Sequence, residues 1–387
     1  MKIVVSGAGI ISSIGKNIPE TLDSLENKRS GLQPLSLFDS RYRGVLPVGE
    51  ADFPVSKRFS RTALLGIYAA RAAFCDAGLD RRKDEKLRIG LISGTSVGGM
   101  DLSENFYHDY LYSPSRGRLH EVVGHDCGDS TEKIASALGI SDYIATVSTA
   151  CSSGANAIIM GARLIKNGIL DCVIAGGTDA LCKFTLNGFS SLKIVDDKPC
   201  RPFDESREGL NLGEGAGYVV LEKEGNRYQS VCCSLAGYAN ICEAYHQTAS
   251  SPDGGGALLA MQKAIENAGM RPEHVDYINL HGTGTPNNDL AEGNAVKRLF
   301  GEKIPKLSST KAFTGHTLGA CGGIEAVFSV LAIEKGLVFP NLNFKNPIPE
   351  HGLQPETDFR KGLEINVVMS NSFGFGGNMS TLIFEKL

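Results

Sequence analysis

Short apolar runs rich in β-branched residues alternate with longer amphipathic stretches along most of the chain. The run at 143–147 is one of the former, and the stretch at 155–165 has the pattern of a mostly buried helix. This alternation predicts an α/β fold, with largely parallel sheets covered by helices. Many tight turns are expected as well, because 46 of the 387 residues are glycine against a usual share of roughly 7%.

The predicted elements occur twice in the same order. An amphipathic helix that ends at a glycine, then a strand and a Gly-Thr pair, occupy residues 62–95, and the same succession returns at 256–283. Each half closes on an apolar strand that ends in Glu-Lys, at 217–223 and at 380–386. We therefore predict two similar α/β halves, residues 1–225 and residues 226–387.

Composition and charge exclude several functional classes. A net charge of −4 gives no support to nucleic-acid binding. No apolar run reaches the roughly 18 residues that a membrane span needs, and the first apolar run is a strand, too short for a signal peptide. Ten cysteines without a Cys-x-x-Cys pair argue against a zinc site. Without a secretion signal they predict reduced thiols and a cytoplasmic location.

Cys151 lies between a predicted strand and a predicted helix, within Ser148-Thr149-Ala150-Cys151-Ser152-Ser153-Gly154. At such a junction the free N–H groups and the dipole of the helix stabilise a thiolate, so we expect a lowered thiol pKa and a nucleophilic sulfur. A small buried cysteine is the alternative that this segment alone leaves open.

Two histidines lie in turns rich in glycine and threonine. His281 follows a predicted strand and precedes Gly282-Thr283-Gly284-Thr285, whose glycines let the backbone approach a ligand closely. His316 follows Lys311 in a second such turn. Open α/β sheets bind ligands at the carboxyl ends of their strands, so both histidines are expected at one site.

Together these segments resemble the β-ketoacyl-acyl-carrier-protein synthases, condensing enzymes of the thiolase superfamily, in the Cys-His-His subtype of synthases I and II. The resemblance spans Val4 to Glu385 and rests on the motifs Thr149–Gly154, Arg201-Pro202-Phe203-Asp204, Arg207-Glu208-Gly209, Gly213–Gly217, His281–Thr285, Lys311 with His316, and Gly374-Phe375-Gly376-Gly377. It implies a thiolase-like fold of duplicated α/β halves in five layers, α-β-α-β-α. It also implies a decarboxylating condensation of an acyl chain with malonyl-acyl-carrier-protein to give 3-oxoacyl-acyl-carrier-protein, in fatty-acid, polyketide or polyene biosynthesis.

The resemblance implies a role for each matching residue. Cys151 would accept the acyl chain as a thioester. His281 and His316 would hydrogen-bond the malonyl thioester oxygen and stabilise the enolate that forms when carbon dioxide leaves. Lys311 would hold the charge network beside the second histidine, paired with Glu325, and a nearby cation would keep the imidazoles neutral.

Further roles concern the substrate. The backbone N–H groups of Cys151 and Phe375 would form an oxyanion hole, and Phe375 would gate the acyl pocket. Thr283 and Thr285 would bind the phosphopantetheine arm, and Phe203 and Phe373 would also contact substrate. No metal and no cofactor of its own are expected, because the phosphopantetheine is carried by the acyl carrier protein.

Partners follow from the same resemblance. An acidic carrier protein would dock on basic residues, for which Lys57, Arg58, Arg61 and Arg207 are candidates, although a solvated helix face explains such charges equally well. A homodimer is expected, with the irregular segment 103–129 at the contact, and a heterodimer with a chain-length-factor subunit is the alternative. The chain departs from the family pattern at Leu210-Asn211, where Phe-Val is usual, and at Asn378-Met379, where Thr-Asn is usual. Both departures bear on acyl-chain preference.

Two other functions compete. Gly7-Ala8-Gly9 follows a strand and resembles part of a dinucleotide fingerprint, although Ser12 replaces its third glycine, so a nicotinamide-dependent dehydrogenase is a remote alternative. A non-catalytic partner subunit of a condensing complex is the second. The intact set of Cys151, His281, His316 and Lys311 argues against it.

Overall fold

The computed structural model describes residues 2–56, 59–82, 86–225, 231 and 233–387. Two of the predictions above lie outside these residues. One is the pair of candidate docking residues Lys57 and Arg58, and the other is the start of the second half at 226.

Strands and helices alternate through the described residues, which contain twelve strands and eleven α-helices. The strands are β1 (Ile3–Ser12), β2 (Leu32–Pro34), β3 (Pro47–Gly49), β4 (Ile89–Gly94), β5 (Tyr143–Val147), β6 (Cys172–Asp179), β7 (Gly215–Lys223), β8 (Cys233–Cys242), β9 (Tyr277–Asn279), β10 (Lys306–Ser308), β11 (Val367–Gly374) and β12 (Asn378–Lys386). The helices are α1 (Ile18–Glu26), α2 (Arg61–Asp76), α3 (Met100–Tyr112), α4 (His120–Val123), α5 (Cys127–Leu138), α6 (Ser153–Lys166), α7 (Lys183–Ser191), α8 (Gly255–Ala268), α9 (Pro286–Phe300), α10 (Lys311–Thr314) and α11 (Cys321–Lys335).

Ten of these strands form one sheet, in the order β10-β9-β11-β12-β8-β1-β7-β6-β4-β5. From the centre of the sheet outward, one set of strands has the order β1-β7-β6-β4-β5 and the other has the order β8-β12-β11-β9-β10. Within each set the first strand of the half is followed by its last strand, so the duplication extends to topology. Among the described residues, the two sets join through two residue pairs, Val4 with Ser234 and Val5 with Cys233.

The sheet is mixed, so the expectation of largely parallel sheets was wrong. In each set the outer three strands are parallel, as β4 is to β5 and β6 and as β9 is to β10 and β11. The last strand of each set, β7 or β12, runs antiparallel between its two neighbours. Each of these two strands pairs with the first strand of its own half, β7 with β1 and β12 with β8. An alternation of strands and helices along the sequence does not reveal their antiparallel direction.

The two five-stranded sets form the two β layers, and the helices complete five layers, α-β-α-β-α. This is the thiolase-like arrangement that the resemblance implies. Helices α6 and α11 lie in the middle and contact strands of both sets, whereas α2 with α5 and α8 with α9 cover the two outer faces. The middle layer is tightly packed because glycines line its contact. A Cβ at Gly154 of α6 would lie 2.7 Å from the amide nitrogen of Gly323 in α11.

The glycine pair Gly7 and Gly9 lies inside β1 and does not form a phosphate-binding turn. A Cβ at Gly7 would meet the carbonyl oxygen of Ala73, and one at Gly9 would meet that of Ala69, both in α2. These glycines therefore permit close contact between β1 and α2. The dehydrogenase interpretation was wrong on this point.

The segment 103–129, which was expected to be irregular, is mostly helical, because α3, α4 and the start of α5 occupy it. Its apolar side chains are nevertheless exposed, among them Tyr107, Leu111, Tyr112, Leu119 and Val123. They lie in the same half as β5, the edge strand of the sheet. In the described part of the chain, no helix is long and apolar enough to cross a membrane.

Candidate active site

Cys151 lies in the sharp turn between β5 and α6. Ala150 takes a left-handed φ of +52°, which brings Thr149 and Cys151 into a short bridge just before the helix begins. The strain of a left-handed residue with a side chain is typical of positions that present a functional group. Gly374 packs against this turn, since a Cβ there would lie 3.1 Å from the amide nitrogen of Cys151.

His316 reaches the sulfur from the opposite half, with its Nε2 atom 3.1 Å from Cys151 Sγ. Its backbone is fixed by bonds to the strand-like segment beside it, because His316 N–H donates to the Asn211 carbonyl at 2.7 Å. The Leu318 N–H donates to the ring Nδ1 at 3.2 Å. Nδ1 is therefore the acceptor, and the ring proton lies on Nε2, facing Cys151.

His281 lies beside His316, with the ring centroids 5.3 Å apart and the planes at 85°. Lys311 Nζ donates to the His281 carbonyl at 2.5 Å and lies 3.4 Å from the ring Nδ1. The same ammonium forms a buried ion pair with Glu325 of α11. A charged ammonium can only donate, so Nδ1 of His281 also accepts and its proton lies on Nε2.

Burial sets the protonation of both imidazoles. It lowers the pKa of His281 well below its ordinary value, and the charges of Lys311 and then His316 lower it further. Burial followed by the Lys311 charge lowers the pKa of His316 well below its ordinary value too. Both rings are thus neutral N–H donors near neutral pH.

Burial also decides the state of the thiol, and the expected lowering of its pKa was wrong. Loss of solvation raises the pKa of Cys151 to about 12, although Lys311 and the backbone N–H groups of Phe375 and Cys151 act in the opposite direction. Cys151 is therefore a neutral thiol near neutral pH. The two N–H groups that act on the sulfur are those expected to form the oxyanion hole.

A cavity of about 290 Å³ opens onto this triad. Thr283, Thr285 and Phe373 line it, as does Phe375, whose ring stacks on Phe189 at 5.7 Å. The two threonine hydroxyls are hydrogen-bonded at 2.9 Å, so one of them has a proton to offer a ligand. Leu210 and Met379, at the two departures from the family pattern, contribute apolar wall.

Phe203 was wrongly expected to contact substrate. It is fully buried in the core around α8 and α9, adopts a φ of +63° and packs against the ring of His351. Its amide instead donates to Asp289 at 2.7 Å, so Phe203 supports the threonine turn from behind.

The two expected docking residues that the structure describes are structural. Arg61 is 4% exposed and forms a bidentate ion pair with the fully buried Glu214. The Arg207 side chain is 8% exposed, and its guanidinium donates to the Pro286 carbonyl. Neither is free to meet a partner, so both assignments were wrong. Among the described residues that line the cavity, the only lysine or arginine is the exposed Lys193.

Sequence reasoning missed two carboxylates of α9 that build the His281 turn. Glu292 accepts the N–H groups of His281 and Gly282 at 2.9 and 2.8 Å, and burial raises its pKa to about 7. Asp289 accepts the N–H of Gly284. Their spacing of three residues on one helix face, directly after the threonine turn, is the signal that could have identified them.

A third missed carboxylate joins the two halves. Asp179, at the end of β6, is fully buried and accepts hydrogen bonds from Thr95 and from the N–H groups of Ser96, Val97 and Gly319. Gly319 follows His316 by three residues, whereas Ser96 donates to the Ala150 carbonyl beside Cys151. Asp179 thereby ties the nucleophile turn to the histidine turn.

Chemically, the site presents one neutral thiol, the Nε2–H group of His316 at 3.1 Å from its sulfur, the neutral His281 imidazole beside that ring, and two backbone N–H groups that act on the sulfur. Such donors stabilise negative charge that develops on a substrate oxygen. No side chain in this set is a strong base. The arrangement therefore suits acyl transfer to sulfur and the stabilisation of an enolate, two steps that need hydrogen-bond donors.

Comparison with known proteins agrees with this chemistry. Residues 1–226 match the family model described as beta-ketoacyl synthase, N-terminal domain, and residues 232–345 match that of the C-terminal domain. A 3-oxoacyl-acyl-carrier-protein synthase 2 of Staphylococcus aureus is 35% identical over 407 residues, which cover 100% of this chain and 98% of the relative. The protein of the same name from Synechocystis is 36% identical, with the same coverage of both chains.

Solved structures show the same relationship. The ishigamide ketosynthase/chain length factor superposes with a TM-score of 0.93 at 30% identity, over 100% of this chain and 99% of that one. A ketosynthase from Xenorhabdus doucetiae, in complex with its chain length factor, superposes with a TM-score of 0.89 at 31% identity, over 100% and 98% of the two chains.

Proposed function

Because the chain belongs to the β-ketoacyl synthase family, we propose that it condenses an acyl chain held on Cys151 with malonyl-acyl-carrier-protein. The product is a 3-oxoacyl-acyl-carrier-protein and carbon dioxide. The observation that carries this proposal is the pair of imidazoles whose Nδ1 atoms both face donors, so that both Nε2–H groups point toward the cavity at Cys151.

In the first step Cys151 Sγ attacks the acyl thioester of the carrier. A carbon–sulfur bond forms, the carrier thiol leaves, and the thiol proton of Cys151 ends on that leaving sulfur. The N–H groups of Cys151 and Phe375 hold the oxygen of the tetrahedral intermediate. Burial raises the thiol pKa to about 12. These two N–H donors must therefore stabilise the negative charge while it moves from the sulfur to the carbonyl oxygen.

In the second step malonyl thioester occupies the cavity, and its carbonyl oxygen accepts the Nε2–H bonds of His281 and His316. Its terminal carbon–carbon bond breaks, carbon dioxide leaves with no base required, and the electron pair forms the enolate. The enolate carbon then attacks the Cys151 thioester, and the Cys151 thiolate leaves and takes a proton from water. Lys311, which is paired with Glu325, keeps the imidazoles neutral throughout, because a nearby cation disfavours imidazolium.

The proposal is tested by separating the two steps. Cys151→Ala should abolish condensation and acyl loading while it still releases carbon dioxide from malonyl-carrier, whereas His316→Ala should lose carbon dioxide release. Cys75→Ala, which removes an exposed cysteine of α2, is the matched control and should retain both activities. A Cys151→Ala variant that still elongates an acyl chain would refute the role of the nucleophile. A wild type that itself failed to elongate an acyl chain would instead favour the non-catalytic subunit.

Carrier docking is proposed at the cavity mouth, where the exposed Lys193 faces solvent. A second condensing subunit is proposed on the face formed by α3, α4 and the edge strand β5, because its apolar side chains are exposed in the single chain. The relatives of known structure that contain a chain length factor support a heterodimer, and a homodimer is the alternative. Native mass spectrometry of the purified chain, alone and with a co-expressed partner, distinguishes the two. The cytoplasmic location stays a prediction.

A further inference from the structure

The triad has the donor set of a zinc site. The ligating atoms of Cys151, His281 and His316 lie within 4.8 Å of one another. Zinc binds sulfur at about 2.3 Å and nitrogen at about 2.0 Å, so tetrahedral coordination places donor atoms about 3.3–3.8 Å apart. Since Cys151 Sγ and His316 Nε2 are already 3.1 Å apart, small movements would assemble the site, and the cavity has space for a solvent ligand.

The tautomers of the two imidazoles oppose this binding. A metal takes the lone pair of one ring nitrogen, and the other nitrogen then carries the proton and donates it to an acceptor. Behind His316, however, Nδ1 already accepts the Leu318 N–H at 3.2 Å. Behind His281, Nδ1 faces the Lys311 ammonium at 3.4 Å. Metal at either Nε2 would thus place a donor against a donor in a buried site.

Both opposing donors are held firmly. Leu318 has a left-handed φ of +52°, and its N–H is part of the turn that continues into α11. The three protons of Lys311 have three acceptors, which are the His281 carbonyl, Glu325 and Nδ1 of His281. Lys311 is 2% exposed, so it has no route to solvent.

We propose that the Leu318 N–H and the Lys311 ammonium exclude soft divalent metal ions such as Zn²⁺ from the Cys-His-His triad. Lys311 then has a protective function besides its part in condensation. The ammonium acts through the tautomer of His281, and as a positive charge it also repels the ion. This inference goes beyond the proposed function, and its test measures metal binding and not condensation.

One competing site must be distinguished. His281, Cys321 and Glu325 also place donor atoms within 4.8 Å of one another. All three residues are buried, Glu325 is bonded to Lys311, and the Cys321 thiol donates to the Cys151 carbonyl at 3.1 Å. Removing Lys311 could therefore create a site there, and Cys321→Ala identifies it.

The test uses Cd²⁺, whose charge-transfer absorption counts thiolate ligands. On binding, the Cys151 S–H bond breaks, sulfur donates its electron pair to the metal and the proton goes to buffer. The wild type should bind no more Cd²⁺ than Cys151→Ala does. The paired variant K311M/E325Q, which leaves neither buried charge alone, should bind one additional Cd²⁺ at least about tenfold more tightly than the wild type. Adding C151A should remove that site, and adding C321A should not.

K193A is the matched control, because it removes the cation at the cavity mouth and touches neither imidazole. Its Cd²⁺ binding should equal that of the wild type. The proposal is overturned by Cys151-dependent Cd²⁺ binding in the wild type, by equal gains in K193A, or by a gained site that depends on Cys321. Thermal unfolding checks that the paired variant is folded, and the comparison of the wild type with Cys151→Ala carries the test if it is not. The wild-type comparison requires no change at Lys311.

Discussion

Replacement of Arg61 by alanine separates a structural role from a docking role. The guanidinium donates to both carboxylate oxygens of Glu214 at 2.6 and 2.8 Å, and to the carbonyls of Ala51 and Phe53 at 2.8 Å each. The Glu214 side chain has no exposed surface. In the part of the chain that the structure describes, Arg61→Ala therefore leaves a buried carboxylate whose remaining donors are the N–H groups of Ala51 and Leu181.

The expected loss follows from that uncompensated charge. Breaking a buried ion pair by removing one partner costs about 3–5 kcal/mol, mostly from the stranded ion. A folded chain has a free energy of unfolding of about 5–15 kcal/mol. The variant should thus lose a large fraction of its stability, whereas a solvated docking arginine would cost less than about 0.5 kcal/mol.

Two measurements decide the question. Urea unfolding of Arg61→Ala should show a midpoint far below that of the wild type, and the KM for the acyl-carrier substrate should be unchanged in the folded fraction. Lys193→Ala should give the reverse, with a raised KM and an unchanged midpoint. The reasoning would be refuted by an Arg61→Ala protein of wild-type stability whose carrier KM is raised. Arg61→Met combined with Glu214→Gln should recover part of the loss, because neither charge remains.

Four further outcomes are expected. Alkylation of Cys151 by iodoacetamide should accelerate about tenfold per pH unit between pH 7 and 10. The reason is that burial raises the thiol pKa to about 12, so the thiolate fraction keeps growing over this range. A plateau of the alkylation rate below pH 9 would instead show a stabilised thiolate. Gly154→Ala should lower the free energy of unfolding by about 1–3 kcal/mol, because its Cβ would strike Gly323, and an unchanged urea midpoint would contradict that packing. Asn211→Val should lower the free energy of unfolding by about 1–3 kcal/mol, since the fully buried Asn211 amide makes three hydrogen bonds to loop 196–200. The same variant should leave the chain length of the product unchanged. Leu210→Phe should shorten that product, which mass spectrometry of the acyl-carrier measures.

Repetition made the fold predictable, because the matched helices and strands at 62–95 and 256–283 repeat in order. The direction of β7 and β12 was not predictable. Both are apolar and buried on two faces, and such a run looks the same whether its neighbours are parallel or antiparallel. The helices α3 and α4 were not predicted from the sequence, for a different reason. Their apolar side chains point outward, so the usual one-sided pattern of a buried helix is missing.

Local motifs identified Cys151, His281, His316 and Lys311, and the structure brings these four together. Glycine-rich turns stand out in a sequence because few residues adopt their backbone angles. Asp179 left no such mark, since a carboxylate on a strand normally faces water, and the Gly213–Gly217 motif around Glu214 does not reveal the partner of that carboxylate. Their importance comes from partners far along the chain, such as Gly319 and Arg61, and only the fold makes those contacts.

Burial at the triad raises the thiol pKa and lowers both imidazole pKa values, so it favours the neutral form of all three groups. A thiolate-imidazolium pair, which a polar site would favour, would leave a charged histidine that stabilises the malonyl carboxylate as well as the enolate. Neutral donors interact most strongly with the oxygen that gains charge, and catalysis depends on that difference. The burial that keeps the histidines neutral for decarboxylation therefore also raises the thiol pKa. In the acyl-transfer step, the N–H groups of Cys151 and Phe375 must then stabilise the negative charge that develops on the acyl oxygen. Loss of the Phe375 donor geometry should slow acyl loading more than carbon dioxide release.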